Sequence, residues 1–311
     1  MIYYSNKKIW GGILNNVFKD FLDAAEELDD LALEGFYGED IKKLTKKRDS
    51  IGTMDYLAES LDLWIGNTEQ FGKEKVKEFI LAFFELYTDS LKVDGKKTVD
   101  TLALFWMGTP DNPELECLSA FSEFSRLFTE TKHFHKEIES KEDKKLADRK
   151  RVAASMINAY SKGVEFTGKV LTTCIILKKI SDNESYNLMK IYSMSIFEKI
   201  NLFESITNGK YKNLTEIVNR SLRNADSHLS LRFDYKENVL LLRKKQNGKI
   251  VNDKMTIQQM ILAVFPSVGW FTQAFVYSGI LFVFSLSDKE MFNEYIYKIY
   301  RISLMNNQKT L

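Results

Sequence analysis

Arg223, Asn224 and His228 are the residues whose types and spacing could do chemistry together. They fall in the string Asn219-Arg-Ser-Leu-Arg-Asn-Ala-Asp-Ser-His-Leu-Ser. An imidazole titrates in the physiological range, so it can take a proton from one oxygen and return one to another. A guanidinium stays charged, and its planar fork matches phosphate oxygens. A neighbouring carboxamide can hold the imidazole tautomer or donate to the phosphate. Cleavage of an RNA phosphodiester without a metal needs these parts. The 2′-hydroxyl loses its proton and attacks the adjacent phosphorus, the 5′-oxygen leaves with a proton, and the added phosphoryl charge is stabilised. The products would be a 2′,3′-cyclic phosphate and a 5′-hydroxyl.

Spacing constrains how these groups could meet. Five residues of helix turn through about 500°, which leaves Arg223 and His228 roughly 140° apart around a straight axis. They can border one phosphate only if the helix end is irregular, or if two copies of the helix meet across a dimer axis. The strand signals after Ser230 predict that the helix stops just past His228.

Leu222-Arg-Asn-Ala-Asp-Ser-His resembles the Arg-(polar)-x-x-x-His signature of the HEPN superfamily. These helical-bundle proteins include ribonucleases of toxin–antitoxin, CRISPR-linked and abortive-infection systems. The resemblance covers about six residues closely and, by helix pattern, the chain from about 152 onward. It implies a four- or five-helix core, a homodimer through the motif helices and a composite site. It maps catalytic roles onto Arg223, Asn224 and His228, and a toxin or anti-phage role onto the protein. An antitoxin or defence partner would then be a possible second protein. The family often adds an acidic residue from a preceding helix, for which Glu198 and Glu204 are candidates. It also admits control by nucleotidylation, with Tyr235 as a candidate target. No cofactor and no metal are implied.

Charge distribution agrees with a phosphate-binding surface near the motif. Net charge is +1 overall, yet Lys212 to Lys249 holds nine basic and four acidic residues, a local 9 − 4 = +5. Arg220, Arg232, Arg243, Lys244 and Lys245 are the candidate RNA contacts within it. A solubilising edge strand would use the same lysines. The opposite pole is Asn16 to Asp40, nine acids against Lys19, a local 1 − 9 = −8. It is expected as a solvated helix face, or as a screen over the basic site.

The elements that must position the motif are nearly all helical. Three prolines and 15 glycines in 311 residues leave few breakers. Apolar spacing predicts helices over 17–34, 54–65, 73–93, 99–107, 113–139, 152–180, 184–207 and 214–229. The charged stretch 136–151 is expected as a solvated face or connector, and a soft boundary there divides 1–150, a helical region of unknown role, from a HEPN-like 151–311. Alternating residues after the motif predict one small β-hairpin at about 231–251. Helices resume at Thr256, with a break at Pro266, and a last one covers 289–304. The fold class expected is all-α with that single hairpin.

Other chemistry finds little support. Cys117 and Cys174 make neither a disulfide framework nor a zinc site. His133 and His135 stand two apart and share no helix face. There is no phosphate-binding Gly-x-x-x-x-Gly-Lys loop and no secretory signal. These features favour a cytoplasmic location. Ile257 to Ser287 carries no charge and is long enough to span a membrane. Its Pro, Ser, Gly and Gln residues favour a core or interface helix, so a membrane partner is not expected. A non-catalytic interaction module and a membrane-associated effector are the rival readings.

Overall fold

The computed structural model describes residues 18–143, 145–227, 231–234, 236–246 and 248–301. The fold is predominantly α-helical, with one small antiparallel sheet directly after the motif helix. In order, the helices are α1 (Lys19–Glu34), α2 (Glu39–Lys47), α3 (Thr53–Gly66), α4 (Lys73–Val93), α5 (Gly95–Met107), α6 (Leu118–Glu139) and α7 (Leu146–Ser181). Then come α8 (Leu188–Tyr192), α9 (Ile196–Ile206), α10 (Lys212–Thr215) and α11 (Arg220–Ser227). Strands β1 (Leu231–Asp234), β2 (Val239–Gln246) and β3 (Lys249–Thr256) follow. A single turn, α12 (Ile257–Gln259), a π-helical turn (Met260–Val264), α13 (Phe265–Ser287) and α14 (Lys289–Tyr300) complete the described residues.

Four expectations are corrected. The segment 184–207 is two helices, and the expected helix 214–229 is α10 and α11 separated by a break. The expected hairpin is a three-stranded sheet of order β1-β2-β3. Pro266 breaks nothing. It sits in the first turn of α13, where a proline's missing N–H is tolerated, behind a π turn that widens the helix ahead of its ring.

The chain divides into two compact units. The first comprises 1–122, 176–186 and 273–311. Aromatic side chains build its core. Phe83 and Phe105 meet Phe275 edge-on, Tyr87 meets Phe282, and Trp64 stacks on Tyr277 at 4.8 Å. Ser278 donates to the Tyr87 hydroxyl oxygen, and Tyr295 donates to the Ala58 carbonyl and to Asp62. Ile257–Ser287 is, among the described residues, the one helical stretch long and apolar enough to cross a membrane, with mean hydropathy 1.4. Its Phe275, Leu281 and Phe284 are buried in this aromatic core.

The second unit comprises 123–175 and 187–272 and holds the motif. Its core needs close helix approach. A Cβ on Gly163 of α7 would fall 2.7 Å from Val268 and 2.8 Å from Phe124, and one on Gly269 would strike the Phe128 ring. Phe128 stacks on Phe265 at 4.6 Å, and Phe124 lies parallel to Phe166. Glycine here lets side chains of the neighbouring helices seat directly against the helix backbone.

Candidate active site

The motif helix is short, and its start is held from a distance. Tyr160 lies on the apolar face of α7 and is fully buried. Its hydroxyl donates to the Ile217 carbonyl at 3.0 Å and accepts the Asn219 backbone N–H at 2.6 Å. Burial pushes the phenol's pKa well above its ordinary value, so the group is a neutral donor throughout the physiological range. Asn219 then caps α11. Its side-chain oxygen accepts the Leu222 N–H at 2.9 Å, and its carbonyl accepts from Arg223.

Leu222 is fully buried and anchors α11 inward. The Ser221 hydroxyl donates to the Asp253 carboxylate on β3 at 3.4 Å. Asp253 pairs in register with Leu242, on the sheet face that also carries the buried Leu240 and Met255. The motif helix therefore covers that face. Arg223 and Asn224, next along the helix, are both half-buried. Among the described residues α11 runs to Ser227; His228 lies outside them, as does Tyr235.

The candidate RNA contacts whose side chains are described fall on two elements, the motif helix and the sheet. Arg220 is exposed at the start of α11, its guanidinium 4.8 Å from the Phe197 ring. Arg232 and Arg243 are exposed, and the register puts them on the sheet face opposite α11. Backbone register gives position 245 to that same face and position 244 to the α11 face. The side chains of Lys244 and Lys245 lie outside the described residues. Leu231, which opens β1, pairs with Leu242, and the next rung outward is Arg243 opposite Asn252. Residues 228–230 alone separate the end of α11 from Leu231, one rung short of that pair.

The two acidic candidates have local structural work. Glu198 closes a capping box with Ser195 at the start of α9, and this hydrogen bonding holds its carboxyl below the usual range. Glu204 accepts the Thr215 hydroxyl, tying α9 to α10. His135 lies 3.9 Å from Glu139 on α6. Among the described residues no group of three His, Cys, Asp and Glu side chains is placed to hold a metal ion. In the first unit Asp20, Asp23 and Glu27 of α1 border an open depression with Ser119 and Glu116. Glu116 accepts the Ser119 N–H at 2.9 Å and so begins α6.

Sequence reasoning missed Tyr160, whose partners are 57 and 59 residues away. The available signal was a phenol at the i+4 step of an otherwise apolar run, Val152, Met156, Tyr160 and Val164, because a buried hydroxyl requires a partner. No family model, no curated protein and no solved structure matches this chain, so the case for the site stands on its own residues.

Proposed function

We propose that the protein is a metal-independent endoribonuclease of HEPN type. Arg223 binds and stabilises the phosphoryl oxygens, His228 moves the protons, and Asn224 orients one or the other. The observation that supports this most is the half-buried Arg223–Asn224 pair on a helix whose entry is capped by Asn219 and pinned by Tyr160. A guanidinium held partly out of water interacts with a phosphate more strongly than one free in solvent. Two motif helices across a homodimer axis would complete the composite site. The role that goes with this chemistry is a cytoplasmic toxin or anti-phage effector, held by an antitoxin or a defence partner.

The test is RNA cleavage in EDTA by the wild type, Arg223→Ala and His228→Ala, with mass spectrometry of the product ends. Cyclic-phosphate ends from the wild type, lost in both variants, are the expected result. Cleavage that survives both substitutions would assign the motif a structural role and end the proposal.

A further inference from the structure

β1 is four residues long and covers only part of β2. It pairs with Val239 to Leu242, whereas β2 and β3 continue together from Arg243 opposite Asn252 to Gln246 opposite Lys249. These last four rungs form a two-stranded arm of roughly 10–14 Å. The arm carries Arg243, Lys244, Lys245 and Lys249 and no acidic residue. Lys254 stands opposite Leu241, where β1 still pairs with β2, and belongs to the base of the sheet rather than to the arm. Arg243, Lys249, Ile250 and Asn252 are exposed, Ile250 to 76%. Positions 243 and 245 fall on one face of the arm and positions 244 and 249 on the other.

We propose that this arm docks double-helical RNA, lying along a groove with its two cationic faces toward the two phosphate rows that border it. The choice of RNA rests on the ribonuclease reading above. The chemistry of the arm selects paired over unpaired strands. Unpaired bases are held by stacking on aromatic rings, and no aromatic residue occurs from Lys236 to Thr256. Arginine and lysine bind phosphates without regard to sequence. A single strand offers one phosphate row, which one cationic face would satisfy; a groove offers two. The motif helix packs on the sheet whose β2 and β3 continue into the arm, so a docked duplex brings its end or junction toward Arg223. Cleavage then falls in the unpaired nucleotides flanking a duplex, where the backbone is free to align the 2′-hydroxyl for attack.

The experiment uses the full chain bearing Arg223→Ala, to suppress cleavage. Fluorescence anisotropy measures its binding to an RNA duplex of roughly 20 base pairs and to oligo(U) of equal length over a range of salt. Duplex binding about tenfold tighter than oligo(U) is expected. Adding Arg243→Gln, Lys244→Gln, Lys245→Gln and Lys249→Gln should weaken duplex binding about 100-fold and flatten the log–log salt slope by about 3. Circular dichroism and melting check the fold. If the combined variant does not fold, the pair Arg243→Gln and Lys249→Gln decides, with an effect of the same sign and about half the slope change. Equal or tighter binding of oligo(U), or an unchanged duplex affinity and slope, overturns the proposal. The two readings fail differently. Duplex binding by a wild type that cleaves nothing removes the nuclease and leaves the arm. Undiminished cleavage of a duplex-flanked substrate by a chain that carries the four arm substitutions and keeps Arg223 removes the arm and leaves the nuclease.

Discussion

The hydroxyl of Tyr160 accepts the backbone N–H of Asn219 at 2.6 Å, across 59 residues of chain. The same oxygen donates to Ile217, so one phenol fixes both sides of Val218 immediately before the motif helix. Tyr160→Phe keeps the ring and removes both bonds, leaving a peptide N–H and a carbonyl without a partner. The expected cost is about 2 kcal/mol of stability, read by urea denaturation. Cleavage should fall as well, because α11 loses its fixed entry, while duplex binding by the arm is retained. Wild-type stability in the phenylalanine variant would show that water replaces the phenol.

Arg223→Lys separates charge from geometry. The ammonium keeps the positive charge but lacks the fork that grips two phosphate oxygens. Turnover in EDTA should drop about tenfold for lysine and about 100- to 1000-fold for alanine, with KM changing less than kcat. Equal losses for both variants would mean that the fork carries the whole effect; no loss for either would remove Arg223 from the chemistry.

Gly163→Ala places a methyl group 2.7 Å from Val268 and 2.8 Å from Phe124. Both neighbours are buried and cannot withdraw freely. Overpacking of this kind costs about 1–3 kcal/mol, and Gly269→Ala, against the Phe128 ring, should match it. Chemical denaturation of each variant is the check, and full stability in either would show that the helices can separate without loss.

The acidic α1 can be tested without dismantling the fold. Truncating residues 1–40 would remove the buried Phe21, Ala24 and Ala32 and the 2.6 Å pair between Asp29 and Arg48. Asp20→Asn, Asp23→Asn and Glu27→Gln instead neutralise three exposed positions. If the acidic helix screens the basic surface, cleavage at low salt should rise several-fold and the gain should vanish at high salt. An unchanged rate at every salt concentration discards screening.

Much of the helical fold was legible because periodicity is local. The run from Val76 through Phe79, Ile80 and Phe83 to Tyr87 announces α4 within one window, and each of these residues is buried. The Thr256 to Gln259 spacing marks a helix start that forms as a capping box. The third strand was hidden because Asp253 and Lys254 look like surface residues. Only pairing with β2 turns Met255 into the buried partner of Leu240. Around the motif, the run of basic residues was readable, but not its division between two sheet faces. Register decides that, and register is a property of the pairing rather than of either strand alone.

An eight-residue helix has little tendency to form by itself in water. What holds α11 comes from both directions along the chain: Tyr160 precedes it and Asp253 follows it. During synthesis, the polypeptide must therefore extend past β3 before Arg223 and Asn224 take up their final setting. A nascent or prematurely terminated chain would carry the motif in sequence and lack it in space. On the proposed ribonuclease reading, that ordering withholds the activity until β3 has been made.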